Sequence, residues 1–249
     1  MTSPSKARKF TITVPATSAN IGPGFDVVGL SLSLFLKLEV SVGEPNESSA
    51  RSPPVLTHSG EGEGAVPLDP YKNLTTRVAL YVLRCNGVTY FPSSLHIHSI
   101  NQIPFGRGLG SSGAAVIAGV LLANELGSLN LDVVRILDHA LMVERHPDNV
   151  TAALVGGFVG SYLKELSAEA RLAANVPLSE VLPEYPADAS EEWGMNPPIP
   201  PHGIGHFVRF GWAQSIKAVA IVPRFELSTA TARNVLPKNY TREDLVGIP

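Results

Sequence analysis

Between Leu30 and Val42 apolar and polar residues alternate almost without a break. Leu30, Leu32, Leu34, Leu36, Leu38, Val40 and Val42 fall on one side, and Ser31, Ser33, Lys37, Glu39 and Ser41 on the other. A period of two over so long a run predicts a strand with one buried face, as in an antiparallel sheet backed by helices. Residues 10–14 show the same alternation and are expected to end at Pro15. Further strands are predicted at 94–100, at 55–58, and as a short buried run at 217–223. Helical patterns cover 71–85 behind Asp69-Pro70, with Gly87 as a stop, then 132–143, and 229–236 before Pro237. Another helix is expected to open at Ser112 or Gly113 and run to Leu126. Residues 150–162 predict a turn of helix and then a strand through Gly156-Gly157, whereas 43–70 and 164–205 read as loop. Strands interleaved with helices, several of them alternating, predict an α+β fold and not a doubly wound parallel sheet.

Composition sharpens this picture. Of 249 residues 44% are hydrophobic and 16% charged, enough apolar surface to exclude a wholly disordered chain. The 22 glycines and 21 prolines predict many special turns. A net charge of −3 offers no basic excess to neutralise a nucleic-acid backbone. The lone Cys85 excludes a disulfide scaffold and a multi-cysteine zinc site. Lys6, Arg8 and Lys9 are followed by no apolar run of signal-peptide type, and no stretch of eighteen apolar residues predicts a membrane span. A cytoplasmic globular protein is the expectation.

The segment richest in chemistry is Pro104-Phe105-Gly106-Arg107-Gly108-Leu109-Gly110-Ser111-Ser112-Gly113-Ala114. Glycines let backbone N–H groups approach an anion, serines add hydroxyl donors, and the following helix aims its positive end at the same point. A Walker loop would need Gly-Lys-Ser/Thr, and no lysine is present. The spacing Gly108, Gly110, Gly113 matches a dinucleotide fingerprint, but 101–107 separates the glycines from the strand and Glu125 falls inside a helix. Small residues that merely permit tight helix packing are the plainer alternative. As a whole, Pro-x-x-x-Gly-Leu-Gly-Ser-Ser-x-Ala resembles the ATP loop of the galactokinase, homoserine kinase and mevalonate kinase (GHMP) superfamily. That resemblance implies an α+β fold with a left-handed βαβ unit. Its N-terminal lobe would be of ribosomal protein S5 domain 2 type, over 1–165. An incomplete ferredoxin-like C-terminal lobe would follow a loop-rich insertion within 166–249.

Two further segments are similar to homoserine kinases. Asn20-Ile21-Gly22-Pro23-Gly24-Phe25-Asp26 lies between two strands, where Asn20 and Asp26 are equally ordinary turn formers. Glu144-Arg145-His146-Pro147-Asp148-Asn149-Val150 reads on its own as a charged helix end with a satisfied histidine, and many relatives have glycine in place of Arg145. Residues 222–237 resemble a third such stretch, in which Arg233 is either a solvated helix cation or a fork for a carboxylate. By resemblance, Asn20, Asp26, His146, Asn149 and Arg233 would hold L-homoserine, and Ser112 with Glu144 would ligate Mg²⁺. Pro104, Gly106, Arg107, Gly108, Leu109, Gly110, Ser111, Ser112, Gly113 and Ala114 would line ATP, with Asn73 near the adenine. Asn149, Glu144 and Ser112 would form the catalytic set. Asn149 cannot abstract a proton, so direct transfer without a dedicated base is implied, with Asp148 the residue to test.

The implied activity is that of an ATP-dependent kinase making O-phospho-L-homoserine in threonine biosynthesis. The alternatives are another kinase of the superfamily, mevalonate-type for instance, or a catalytically silent nucleotide-binding fragment. Fungal-type members carry similar insertions, and family members carry a further C-terminal segment with a third glycine-rich motif of the Ser-Gly-x-Gly-Pro-Thr kind. No such string occurs here, which implies a C-terminally truncated member, either a fragment of a longer kinase or a natural short form with an incomplete C-terminal lobe. Neither nucleic acid nor membrane is an expected partner; a homodimer is left open. His96 and His98 share a strand face without a third ligand nearby and read as ordinary sheet residues, and Cys85 as a small core residue.

Overall fold

Two long strands organise the sheet. In the computed structural model, which describes residues 7–44, 54–185, 193–213 and 215–225 with 235, 237 and 239, β1 (Arg8–Ala19) and β2 (Val28–Val42) pair antiparallel from end to end. β1 does not stop at Pro15. Its pairing shifts there, the partner jumping from Phe35 opposite Pro15 to Leu32 opposite Ala16. A proline lacks the N–H that a regular ladder needs, and a break in register accommodates it. Ala16 and Thr17 are then both buried, so the alternation of β1 is lost where the shift falls.

β3 (Val55–Gly60), α1 (Leu74–Cys85) and β4 (Leu95–Asn101) form a crossover unit. β4 lies antiparallel along Leu36–Val42 of β2, and β3 lies parallel on β4, so the sheet is mixed. α1 begins later than its pattern predicts because Asn73 caps it, accepting from Thr75 N at 3.0 Å. α2 (Ser111–Gly127), α3 (Val133–Glu144) and α4 (Pro147–Val155) follow, and β5 (Phe158–Leu163) returns to the Val28–Leu30 end of β2. α4 is a full nine-residue helix where the sequence predicts one turn, with Pro147 pre-set for its first position. α5 (Ala168–Ala174), α6 (Leu178–Val181) and β6 (Gly205–Phe210) complete the described elements, β6 pairing antiparallel with β5.

α2 is the central helix. Val116, Ile117, Ala118, Val120 and Leu122 are all fully buried, because the helix is covered by the sheet on one side and by α1 and α3 on others. At Gly119 an added Cβ would sit 2.5 Å from the Thr75 carbonyl oxygen, so the glycine lets α1 approach α2 at backbone distance.

The 164–204 insertion docks through its main chain. Arg77 Nη2 donates to the carbonyls of Leu182 (2.7 Å) and Pro183 (3.1 Å), and Arg84 Nη1 to that of Trp193 (2.8 Å). Arg135 Nη1 donates to Pro200 and Pro201, both at 3.1 Å, and Arg145 Nη2 to Val176. The fully buried Asp138 accepts from Gly203 N (2.9 Å), Ile204 N (2.7 Å) and Arg135 Nη1 (3.0 Å).

One predicted strand is absent. Residues 217–223 are irregular, with Val219 88% and Ile221 92% exposed. A short apolar run suits a buried strand, but a strand also needs a neighbour, and the described sheet ends at β6. The helix expected at 229–236 lies outside the described residues, apart from residue 235.

Candidate active site

Three segments, far apart in the chain, converge on Gly110. Gly106, Gly108 and Gly110 have φ of 63°, 71° and 65°, the left-handed region that glycine enters without steric cost. Gly110 is the N-cap of α2, which therefore opens at Ser111, ahead of the predicted start, and no side chain caps it. The first intrahelical bond runs from Ala114 N to Gly110 O at 2.9 Å, leaving the N–H groups of Ser111, Ser112 and Gly113 without helical partners. Such an end attracts anions. Arg107 Nε, in the same loop, is buried without a hydrogen-bond partner among the described residues.

From β1, the Thr17 N–H donates to the Leu109 carbonyl at 3.0 Å, and its hydroxyl donates to Asn149 Oδ1 at 2.7 Å. A Cβ on Gly110 would lie 2.0 Å from Thr17 Oγ1 and 2.9 Å from Asn149 Oδ1. The glycine is thus what allows β1, the loop and α4 to close on one point. Thr17 was not singled out by its sequence; strict alternation with the exposed Thr11 and Thr13 would point it outward, and the register shift turns it inward.

The 20–26 loop sits at the end of the same strand. Asn20 and Asp26 take φ of 59° and 55°, and Asn20 Oδ1 accepts from Asp26 N at 2.8 Å while Asn20 N donates to Val28 O at 3.1 Å. Asn20 therefore shapes the loop, as its turn-forming chemistry suggests.

On the far side, Arg145 (φ 64°) ends α3 and leads into α4. His146 is braced between two carboxylates, Nδ1 being 3.1 Å from Asp148 Oδ1 and Nε2 3.4 Å from Glu144 Oε2. Asp148, nearly fully buried, also accepts from Asn149 N at 2.9 Å. Glu144, His146, Asp148 and Asn149 are thereby presented as one rigid turn.

Beside the helix start lies a cavity of about 350 Å³, within the size range of small-molecule sites. Its walls are mostly apolar, with Leu38, Ile97 and Phe105 among them, while Ser111 and Ser112 connect it to the glycine loop. Asn73 also lines it, but its amide is engaged, Nδ2 donating to Pro67 O at 3.0 Å besides the cap to Thr75. Asn101, which the sequence did not mark, holds the loop entrance: it accepts from Ile103 N and donates to Ile103 O, both at 3.0 Å.

Arg233 lies outside the described residues. His98 Nδ1 pairs with Thr57 Oγ1 at 2.8 Å, and no group of three metal-binding side chains occurs among the described residues. The Cys85 thiol, 3.7 Å from Pro198 O, is pushed up to about 12 by burial and stays protonated.

Known proteins show which family the chain falls in. The family model for the GHMP kinases N terminal domain matches residues 73–157, the span from the cap of α1 through the glycine loop and the 144–149 turn to just past α4. Homoserine kinase of Saccharomyces cerevisiae is 51% identical over 244 residues, covering 96% of this chain and 68% of that protein. Homoserine kinase of Candida albicans is 49% identical, covering 95% of this chain and 67% of that protein. The chain thus spans about two thirds of the length of these curated relatives. A solved homoserine kinase from Cytophaga hutchinsonii shares the fold, with a TM-score of 0.59 at 24% identity over 99% of this chain and 65% of that one. With half its residues shared along nearly its whole length, and its glycine loop, Thr17 and Asn149 drawn to one point, the chain belongs to the homoserine kinase family of the GHMP kinases.

Proposed function

We propose that this protein transfers the γ-phosphoryl group of ATP to the side-chain hydroxyl of L-homoserine, giving ADP and O-phospho-L-homoserine in the cytoplasm. The observation that carries this reading is the convergence on Gly110 of an uncapped helix start, Thr17 and Asn149 beside an apolar cavity. Phosphoryl transfer asks a protein for positioning and charge neutralisation more than for covalent chemistry. The cavity takes the base, and the loop from Pro104 to Ala114, with the free N–H groups of α2, takes the phosphates. Ser112 and Glu144 offer the oxygen donors that a hard dication prefers, and Ser112 borders the cavity where phosphates would emerge, so the pair fits Mg²⁺. When bound, Mg²⁺ neutralises phosphate charge.

Asn20, Asp26, His146, Asn149 and Arg233 orient homoserine in this reading, an acidic side chain facing its ammonium and an arginine its carboxylate. The homoserine hydroxyl oxygen attacks the γ-phosphorus as the bond to ADP breaks, and the hydroxyl proton passes to an oxygen of the transferring phosphoryl group. No base is assigned. Asp148 Oδ1 is already engaged by His146 and Asn149 N, which supports direct transfer.

The test is ADP release with Mg²⁺-ATP, with and without L-homoserine, and with mevalonate and galactose as controls. Homoserine-dependent release is the expected result. Turnover with mevalonate or galactose instead overturns the substrate, and nucleotide binding without any turnover overturns the activity. Asn149→Asp should lose most of its rate; a full rate would remove Asn149 from its role.

A further inference from the structure

Helix α3 ends on an arginine where glycine is the unstrained choice. Arg145 is held at φ 64°, ψ −5°, a left-handed conformation that is strained for a residue with a β-carbon. What the arginine provides in return is reach. Its guanidinium crosses to the Val176 carbonyl between α5 and α6, thirty-one residues along the chain. Three other arginines hold the insertion in the same manner, but Arg77 and Arg84 on α1 and Arg135 early in α3 lie away from the catalytic turn. Arg145 alone among them sits within it, flanked by Glu144 and His146. Those two neighbours face each other across the bend, with His146 Nε2 3.4 Å from Glu144 Oε2. The backbone angle at residue 145 therefore sets their separation, and the bond to Val176 holds the residue whose angle that is. A cavity of about 200 Å³ bordered by Arg145, Arg171 and Ile204 lies beside the tie, so close packing does not lock the side chain from every side.

We infer that Arg145 is a positioning residue through which the docked insertion fixes the Glu144–His146 pair. This rests on the reading of the 144–149 turn as the substrate segment. Loosening the insertion loosens the turn, and the effect falls on substrate engagement before it falls on the fold.

The test uses the full chain and its Arg145→Gly, Arg145→Ala and Arg145→Lys variants. Glycine relieves the backbone and removes the tie, so a melting midpoint equal to or above wild type is expected. Amide hydrogen exchange over 144–150 should nevertheless quicken several-fold while α2 keeps its protection. KM for homoserine should rise several-fold with kcat less affected. Lysine, which keeps a donor of similar reach, should restore much of both, and alanine should add a lowered midpoint to the glycine phenotype. Unchanged exchange over 144–150 in the glycine variant overturns the inference, as does equal acceleration along the whole chain. The exchange arm needs no substrate. A wild-type chain that fails to turn over homoserine would therefore count against the proposed activity while the exchange still decides the role of Arg145.

Discussion

Thr17 and Asn149 stand 132 residues apart and share a 2.7 Å hydrogen bond over the face of Gly110. The hydroxyl donates to Oδ1, which fixes which end of the Asn149 amide faces the loop. Thr17 is fully buried and its N–H is committed to Leu109, so the donor is itself held in place. A buried donor of this kind selects one orientation of the amide it serves.

Thr17→Val keeps the shape and removes the donor, leaving Asn149 Oδ1 without its partner. A cost of about 1–1.5 kcal/mol in orienting the amide predicts a fall in kcat of roughly tenfold, with a smaller change in KM for ATP. Thr17→Ser should retain most of the rate. Steady-state kinetics on the two variants, with melting curves to confirm folding, checks this.

Two glycines three residues apart should respond in opposite directions. Alanine at Gly110 would meet Thr17 Oγ1 at 2.0 Å in a left-handed backbone, and a loss of about 1–3 kcal/mol together with nucleotide affinity is expected. Alanine at Gly113 makes ordinary contacts, with Asn149 Cβ at 3.4 Å and Val150 Cγ1 at 3.6 Å, within a helix, where it gains up to about 1 kcal/mol of propensity. Melting and ATP titration calorimetry on both variants distinguish the cases. A Gly110→Ala chain with wild-type stability would contradict the convergence described above.

Asp138 joins α3 to the end of the insertion. Asp138→Ala strands the N–H groups of Gly203 and Ile204 and leaves Arg135 without its carboxylate, a change that costs roughly 3–5 kcal/mol for a buried pair. Proteolysis should then cut within 193–204 at protease levels the native chain withstands. Denaturant unfolding gives the magnitude.

His139 gives stability a defined pH dependence. Its ring lies edge-on to Tyr81 at 5.8 Å, both nitrogens lack hydrogen-bond partners among the described residues, and burial holds its pKa down to about 3 from the usual 6.5. The unfolded chain takes up a proton near pH 6.5 and the folded chain does not until about 3. The contribution is therefore complete above pH 6.5 and falls by about 1.4 kcal/mol per pH unit as the solution is acidified toward 3. His139→Leu should flatten that part of the stability curve. An unaltered slope in the variant would show that other groups carry it.

Where the sequence signal is periodic, the structure follows it closely. Leu36, Leu38, Val40 and Val42 are buried as their alternation demands, and the glycine loop leads directly into α2. Thr17 escaped notice because its inward direction comes from a pairing shift at Pro15, and no local pattern announces a register shift. Val219 and Ile221 misled for a related reason: an apolar run describes one segment, while a strand is a property of two. The ties to the 164–204 insertion are equally invisible beforehand. Their acceptors are carbonyl oxygens, which every residue carries and no residue type marks.

That last property has a consequence for variation. Arg77, Arg84, Arg135 and Arg145 grip the main chain of the insertion, so replacing most side chains on the gripped segment leaves every acceptor in place. The burden of keeping the segment seated falls on a few positions in or at the ends of two helices, these arginines and Asp138 among them. Homologous insertions can therefore drift far in sequence, and even exchange between chains, while returning to the same seat on the helices beneath them.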